Sequence, residues 1–572
     1  MNFCNIAPSF VKPGKEKHLL PGGKPVKSGG KGRIDIDPGI GGPFAPLLRA
    51  LRPGLKRGAH MAHWTEQEGI TGGVSHKRHY KACHGACASF LFPLINLPMP
   101  PPIWDNYGMA EKKENFHFYI HTFGCQMNFH DSEKISGVLA GKGLSEVPEE
   151  EQDRADLVVF NTCAIREKAE QKFFSELGRL KWLKKRRPGL KIAVTGCIAQ
   201  QMGRELLRRA PFVDFIAGPQ NIAFLGNLIG QWDFNLCAGN AKNQNPRNVL
   251  LDENPDIAST ELPARRKGKP RAWVSIMYGC DNFCTYCIVP FTRGREVCRP
   301  SESILREIRQ LADEGFREVT LLGQNVNSYR SDVDFPGLLA KACGVDGISR
   351  IRFVTSHPRD LSAGLIRAFG ELKNLCQHIH LPLQSGSNGV LARMNRRYSF
   401  GEYMGKIEKL RRMAPGISIT TDIIAGFPGE TEEDYEATLY ALKQVEFDGI
   451  FAFKYSPRPG TPAASFPGRL RQETAARRLS EILALQDEIT LRKNRSLEGA
   501  IEEVLVEGPD FGHNPAGGKE PCPFRSTGRT RTNKIVNFSA GETGLAASLT
   551  PGSLVPVRII RAKKHSLEGQ LT

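Results

Sequence analysis

The sequence predicts an α/β chain in three parts: an open parallel-sheet amino-terminal domain, a partial (β/α) barrel of TIM type, and a small OB-like β-barrel at the carboxyl end. Three observations predict it. From Phe116 a strand–cysteine–helix unit occurs three times, between about 271 and 492 strands alternate with helical patterns, and from Ala500 short strands are parted by Gly/Pro-rich turns.

The elements follow in order. Phe116 to Phe123 alternates, with Phe116, Phe118 and Ile120 on one face, and runs through Gly124-Cys125 into a helix carrying Ile135, Val138 and Leu139 at helical spacing. Asp156 to Phe160 reads as a buried strand ending at Asn161-Thr162-Cys163, and Ile165 to Leu183 as an amphipathic helix. Ile192 to Thr195 is a third strand, ended by Gly196-Cys197 and followed by a helix to about Arg209. Each cysteine thus occupies the carboxyl end of a strand. In an open parallel sheet those ends share one crevice where ligands bind, so Cys125, Cys163 and Cys197 can converge. In the barrel, Val319 to Leu322, Ile351 to Thr355, His378 to Leu383, Ser418 to Ile424 and Gly449 to Tyr455 read as strands, and Leu479 to Leu491 as the closing helix. Ile501 to Glu507, Lys534 to Phe538 and Ser553 to Ile560 are the strands of the last part.

Composition bounds the partners. The 572 residues carry a formal net charge of +18, which suits a polyanionic partner such as nucleic acid. Mean hydropathy is −0.33, and the most apolar run, Ala88 to Ile103, is broken by Pro93, Pro98 and Pro100 to Pro102, so no spanning helix is expected. Residues 1 to 108 hold 16 Gly and 13 Pro with 14 basic against 6 acidic side chains, a composition that cannot easily offset its ordering entropy. The expected division is a Gly/Pro-rich disordered extension over 1–114, a domain over 115–232, a polar linker over 233–270, the barrel over 271–492, the small β-barrel over 493–565 and a tail over 566–572. Cys83 and Cys87, with His76, His79 and His84, invite a metal reading that no second cysteine pair completes.

Gly279 to Cys287 reads GCDNFCTYC and places Cys280, Cys284 and Cys287 within eight residues. So tight a loop can wrap three irons of a cubane cluster and leave the fourth open. Zinc would need a fourth ligand, and only Cys298 follows closely. The aromatic Tyr286 before the third cysteine completes a C-x3-C-aromatic-C pattern that resembles the radical S-adenosylmethionine enzymes. That resemblance implies a 4Fe-4S cluster whose open iron chelates S-adenosylmethionine, cleaved by one electron to a 5′-deoxyadenosyl radical. Gly323-Gln324-Asn325, at a strand end, and Gly426 in IIAGFPGE resemble that superfamily's cofactor-contacting motifs, although strand-end glycines are equally ordinary in tight turns.

From about 115 to 565 the chain resembles the methylthiotransferases, which join a three-cysteine domain, a radical S-adenosylmethionine barrel and a TRAM domain. TFGCQMNFHDSE at Thr122 to Glu133, NTCAIREKA at Asn161 to Ala169 and TGCIAQQ at Thr195 to Gln201 are similar to the MiaB branch, as are SIMYGCDNFCTYCIVPFTRGRE, LLGQNVNSY, HLPLQSGS and YSPRPGTPAA. The resemblance implies a second 4Fe-4S cluster on Cys125, Cys163 and Cys197 holding the sulfur to be transferred. The reaction implied is methylthiolation of C2 of N6-isopentenyladenosine beside the anticodon of transfer RNA. One S-adenosylmethionine gives the methyl group and a second gives the radical.

Unrelated buried thiols remain the plain alternative for those three cysteines. Cys4, Cys237, Cys343, Cys376 and Cys522 have no partners by spacing, and His357 and His380 read as packed rather than catalytic. No residue beyond the cluster ligands is expected to act in catalysis. Arg525, Arg529, Arg531 and Lys534, with a second group Arg558, Arg561, Lys563 and Lys564, read as phosphate contacts to RNA. A cytoplasmic monomer reduced by a flavodoxin or ferredoxin is expected, acting off the membrane. The rival readings are the same chemistry on a threonylcarbamoyl-type adenosine or a ribosomal protein side chain, or a non-catalytic zinc-containing RNA-binding protein.

Overall fold

In a computed structural model of the chain the described residues are 116–165, 167–229, 248–254, 256–266, 268, 270–509, 525–539 and 549–572. The expected extension, with Cys83 and Cys87, lies outside them, as do Cys4, Cys237 and Cys522.

Six parallel strands form the amino-terminal sheet, in the order Ser145–Glu146, His117–Thr122, Leu157–Thr162, Lys191–Gly196, Phe215–Ala217 and Asn248–Leu250. The central strand Leu157–Thr162 is buried throughout because alternate residues enter two cores, Val158 and Phe160 on one face, Leu157 and Val159 on the other. Helix Gln126–Ala140 covers one face and helix Glu167–Arg186 the other, through Phe173, Leu177 and Leu180. The expected linker 233–270 is corrected by Asn248–Leu250, which pairs with Phe215–Ala217 as the sixth strand. Three residues in polar surroundings carry no readable alternation.

In the second domain, strands Arg271–Ser275, Glu318–Leu322 and Arg350–Phe353 form one parallel sheet, and His378–His380, Ser418–Ala425 and Gly449–Lys454 another. A single parallel bridge, Ile351 to Leu375, joins them, which makes a six-stranded partial barrel. Helix Gln472–Arg495 packs Ile482 and Ile489 into the common core. The last domain is a closed barrel of five strands, Ile501–Pro509, Arg525–Thr530, Ile535–Ser539, Leu554–Ala562 and Leu567–Leu571. The expected tail 566–572 is therefore wrong. Leu567–Leu571 pairs with both Ile535–Ser539 and Leu554–Ala562 and closes the barrel, with Leu567 buried. Its Gly and Gln disguise a strand of period two.

The small barrel docks at the amino ends of the second domain's strands. Arg350 donates to the carbonyls of Arg529 (2.6 Å) and Glu503 (2.9 Å), and Arg352 to that of Thr530 (2.7 Å). The opposite, carboxyl ends are left for chemistry, as in open and closed α/β barrels generally.

Candidate functional site

The first three cysteines stand level at adjacent strand ends. Thr162 pairs with Gly196 across the sheet, so Cys163 and Cys197, one residue on, leave neighbouring strands side by side. Cys125 enters from the other neighbour and caps helix Gln126–Ala140. Two glycines allow this approach. Gly124 has φ +123°, and a Cβ there would lie 2.4 Å from Cys163 Cβ and 2.8 Å from its Sγ. Gly196, at φ +91°, lies so close to the neighbouring strand that a Cβ would meet the Thr162 carbonyl oxygen at 2.3 Å. Asn128 and Asn161 tie the ends together. Asn128 Nδ2 donates to Asn161 Oδ1 (3.0 Å) and to the Thr162 carbonyl (2.9 Å), and Asn161 Nδ2 donates to the Asn128 carbonyl (2.7 Å). The Asn128 Oδ1 in turn accepts from Cys125 Sγ at 3.2 Å.

The second triad lies on a loop pinned at its base by the antiparallel pairs Met277–Cys298 and Tyr278–Val297. Cys298, the sequence candidate for a fourth zinc ligand, stands in that ladder, its sulfur accepting the Arg330 N–H at 3.5 Å. Gly279 has φ +73° and no room for a side chain, since a Cβ would fall 1.9 Å from the Arg295 carbonyl oxygen. Beyond it Phe283 is held at φ +47°, Cys287 N donates to the Cys284 carbonyl (2.9 Å), and Asn282 Nδ2 donates to Cys280 Sγ (3.5 Å). Left-handed backbone at a phenylalanine costs about 1–3 kcal/mol, so the loop's shape is imposed by its surroundings.

The segments that carry the two triads are tied together. Helix Val289–Arg293 follows Cys287 directly and packs beside helix Cys197–Met202. Ile288 joins the amino-terminal core. Arg293 forms a buried ion pair of 2.8 Å with Asp131 and has the thiols of Cys125 and Cys197 as further electrostatic partners. On the other side Arg458 donates to the Ile165 carbonyl (2.7 Å), two residues past Cys163. Lys134 reaches Tyr278 Oη at 3.0 Å. Sequence reading missed Arg293 and Arg458, because nothing in their local pattern distinguishes a buried bridging guanidinium from a surface one.

The donor sets fit iron–sulfur clusters. Burial pushes the thiols of Cys125 and Cys280 up and that of Cys287 up to about 12, with Arg293 opposing the effect at Cys125. These are not activated nucleophiles, and binding to metal is what releases such protons. Three thiolates suit a cubane, in which each takes a different iron.

The expected cofactor contacts fall at the same end of the barrel. Gln324, one residue beyond Gly323 after strand Glu318–Leu322, has buried Oε1 and Nε2 atoms with no protein partner, and so does Asn325 Oδ1. Unpaired buried amides on this scale fit a polar ligand such as S-adenosylmethionine. Gly323 leaves space that Met277 fills, and Gly426, at φ +76°, turns the chain so that its N–H reaches Glu430 Oε2 (2.8 Å) with Ala475 packed where a Cβ would go. Both glycines therefore have a packing reason. Tyr286 packs against Val390, Met394, Phe427 and Ala463. His357 is buried, which holds it neutral with its pKa down to about 2, and its Nδ1 accepts the Arg359 N–H. His380 shares Thr420 Oγ1 with His378.

The basic residues expected to hold RNA stand elsewhere. Arg529 pairs with Glu507 (3.0 Å) on the neighbouring strand of the small barrel, while Lys534 pairs with Asp448 (3.2 Å) and Arg531 donates to the carbonyls of Lys373 and Leu375 across the docking seam. Each of the three side chains therefore has a protein partner that competes with the expected phosphate contact. Of Arg525 the backbone alone is described, in strand Arg525–Thr530. In the second group, Lys563 pairs with Glu568 and Lys564 with Asp487.

Comparison with known proteins supplies the wider setting. Residues 117–218 match the model of the Uncharacterized protein family UPF0004, and residues 274–441 that of the Radical SAM superfamily. A Thermodesulfovibrio yellowstonii protein named tRNA-2-methylthio-N(6)-dimethylallyladenosine synthase is 52% identical over 79% of this chain and 98% of its own length. Proteins of the same name from Syntrophus aciditrophicus and Carboxydothermus hydrogenoformans are 47% and 45% identical, each over 81% of this chain and over 96% and 100% of their own lengths. Among solved structures, the radical S-adenosylmethionine methyltransferase TsrM of Kitasatospora setae aligns with a TM-score of 0.46 at 13% identity over 72% of this chain and 83% of its own, too slight a likeness to argue from.

Proposed function

The chain belongs to the family of tRNA-2-methylthio-N(6)-dimethylallyladenosine synthases, and from that premise we propose how its residues divide the work of methylthiolating C2 of N6-isopentenyladenosine beside the anticodon of transfer RNA. Cys280, Cys284 and Cys287 hold the 4Fe-4S cluster that binds S-adenosylmethionine, with Gln324 and Asn325 offering their unpaired amide atoms to that molecule and Tyr286, Gly323 and Gly426 shaping its wall. Cys125, Cys163 and Cys197 hold a second 4Fe-4S cluster and with it the sulfur. When bound, the clusters and S-adenosylmethionine supply radical chemistry and a methyl group, which no side chain offers at an unactivated aryl C–H. The protein's own contribution is position. Asp131 and Arg293 clasp the segments that follow the two cysteine sites, and Asn128 and Asn161 keep the three strand ends level.

The single observation that carries the reading is the Asp131–Arg293 bridge, which places a side chain from just beyond one triad at the other. The presented base is unstacked from the anticodon loop, as single-stranded bases can be. Within the proposal the enzyme is a cytoplasmic monomer that takes electrons from a flavodoxin or ferredoxin. No described helix is long and apolar enough to cross a membrane. The domains are 115–232 together with the sixth strand Asn248–Leu250, then 271–492 and 493–572, the last now including its closing strand. Anaerobic turnover with isopentenylated transfer RNA, followed by nucleoside mass spectrometry, tests the whole: the methylthio nucleoside forms. Formation of a methylthio product only on a threonylcarbamoyl-type adenosine or on protein would overturn the substrate assignment.

A further inference from the structure

Behind the Cys280–Cys287 loop lies a guanidinium that the function described so far does not use. Arg396 is 4% exposed. Its Nη1 donates to Cys284 Sγ at 3.3 Å and to Tyr286 Oη at 3.4 Å, its Nη2 to the Pro382 carbonyl at 2.8 Å, and its Nε to Tyr398 Oη at 3.0 Å. The segment that carries it is shaped for the purpose. Asn395 and Arg397, on either side, are both left-handed, at φ +57° and +56°, a conformation that costs non-glycine residues about 1–3 kcal/mol each. The same turn clamps the cysteine loop through backbone: Thr285 N donates to the Met394 carbonyl (3.1 Å), and Asn395 Nδ2 to the Phe283 carbonyl (3.0 Å).

A buried guanidinium demands an anion. The hydrogen-bond partners of Arg396 are Cys284, Tyr286, Tyr398 and the Pro382 carbonyl, and among the described residues it forms no ion pair with a carboxylate. The two phenols give Arg396 hydrogen bonds and no carboxylate charge. The remaining candidate for negative charge is the sulfur of Cys284, which is anionic when it ligates iron.

We propose that Arg396 is the counter-charge of the 4Fe-4S cluster on Cys280, Cys284 and Cys287 and that it raises the reduction potential of that cluster. This rests on the reading of that triad as a cluster site. The sign follows from electrostatics: one added electron makes the cluster more negative, and a fixed cation that also donates an N–H to a ligating sulfur stabilises the more negative form. Arg396 touches a ligand rather than substrate, so it is a positioning and tuning residue.

The test is a redox titration of the full chain in which Cys125, Cys163 and Cys197 are replaced by Ala, leaving one cluster signal. With mediator dyes and dithionite as the one-electron donor, electron paramagnetic resonance reads the reduced fraction. Arg396→Gln is expected to keep its iron and sulfide. At the potential where unaltered Arg396 gives half reduction, the variant's reduced-to-oxidised ratio should fall at least tenfold, which is a midpoint lowered by 59 mV for one electron. Arg396→Lys, which keeps the charge without the planar fork, should fall between the two. A Gln variant titrating within twofold of the unaltered protein overturns the proposal. Should the Gln variant lose its cluster, Arg396→Met decides by the same midpoint, and loss of the cluster from the Gln, Met and Lys variants alike leaves Arg396 a structural clamp and also overturns it. A chain with Arg396 intact that holds no iron at this triad would instead defeat the functional reading.

Discussion

Replacing Asp131 with Ala isolates the bridge between the two triads. The Asp131 and Arg293 side chains are 3% and 6% exposed and meet at 2.8 Å, so the substitution leaves a guanidinium buried between two domains without its carboxylate. Breaking one partner of a buried pair costs about 3–5 kcal/mol, most of it the stranded charge rather than the lost attraction. In iron-free protein that corresponds to a fall in melting temperature of roughly 10 °C for domains of this size. Removing the charge as well, in Asp131→Ala/Arg293→Met, should recover most of the loss, because an apolar pair of similar volume is close to neutral. With iron bound, the anionic triad facing Arg293 takes over part of the role of Asp131, so the single variant should be destabilised less than in the iron-free state. The assay is thermal unfolding followed by circular dichroism under anaerobic conditions, with and without reconstitution. A single variant within 1 kcal/mol of the unaltered protein, or a double variant as unstable as the single, would refute the stranded-charge argument.

Other outcomes follow from the same contacts. Gly124→Ala must place a Cβ 2.4 Å from Cys163 Cβ at φ +123°, so it should displace Cys163 and lose about four irons per chain, those of one cluster, in an iron and sulfide assay. Arg529→Ala/Arg531→Ala/Lys534→Ala should cost about 3 kcal/mol or more by stranding Glu507 inside the small barrel and Asp448 at its seam with the second domain. The slope of log RNA affinity against log salt should stay unchanged, where each true phosphate contact would contribute about 0.7–0.9. His357 and His378 are buried with pKa values lowered to about 2 and about 3, chiefly by desolvation, so the folded state refuses protons that the unfolded state accepts below about pH 6.5. Their stabilising contribution is complete above that pH and is lost as pH falls from about 6.5 toward 3. The slope should reach about 1.4 kcal/mol per pH unit for each, and His357→Gln should flatten the acid limb of a stability–pH curve.

The parts most legible in the sequence were those that obey a short period. The three strand ends carrying Cys125, Cys163 and Cys197 could be placed because each combines an apolar run, a Gly or Asn turn and a helical pattern, and the structure puts them level on neighbouring strands. The loop GCDNFCTYC was legible from spacing alone. Short strands were not. Asn248–Leu250 has too few residues to alternate, and Leu567–Leu571 sets its apolar positions among Glu, Gly and Gln. The protein partners of the basic run in the small barrel were not legible, because a run of Arg and Lys looks the same whether it faces solvent, its own barrel or a neighbouring domain, and Glu507, Asp448 and the Leu375 carbonyl come from distant positions. For the same reason Arg293 and Arg396 carried no signal: each is defined by what lies opposite it across a gap of more than 100 residues, Asp131 and Cys284 respectively.

The claim that two triads hold two independent clusters is tested most directly by counting iron and labile sulfide in the full chain with Cys280, Cys284 and Cys287 all replaced by Ala, purified and reconstituted without oxygen. The triads lie in separate domains and each is a complete three-thiolate set, so the variant should keep about four irons and four sulfides per chain against about eight of each in the unaltered protein. A variant that holds none, or that holds as much as the unaltered protein, contradicts it.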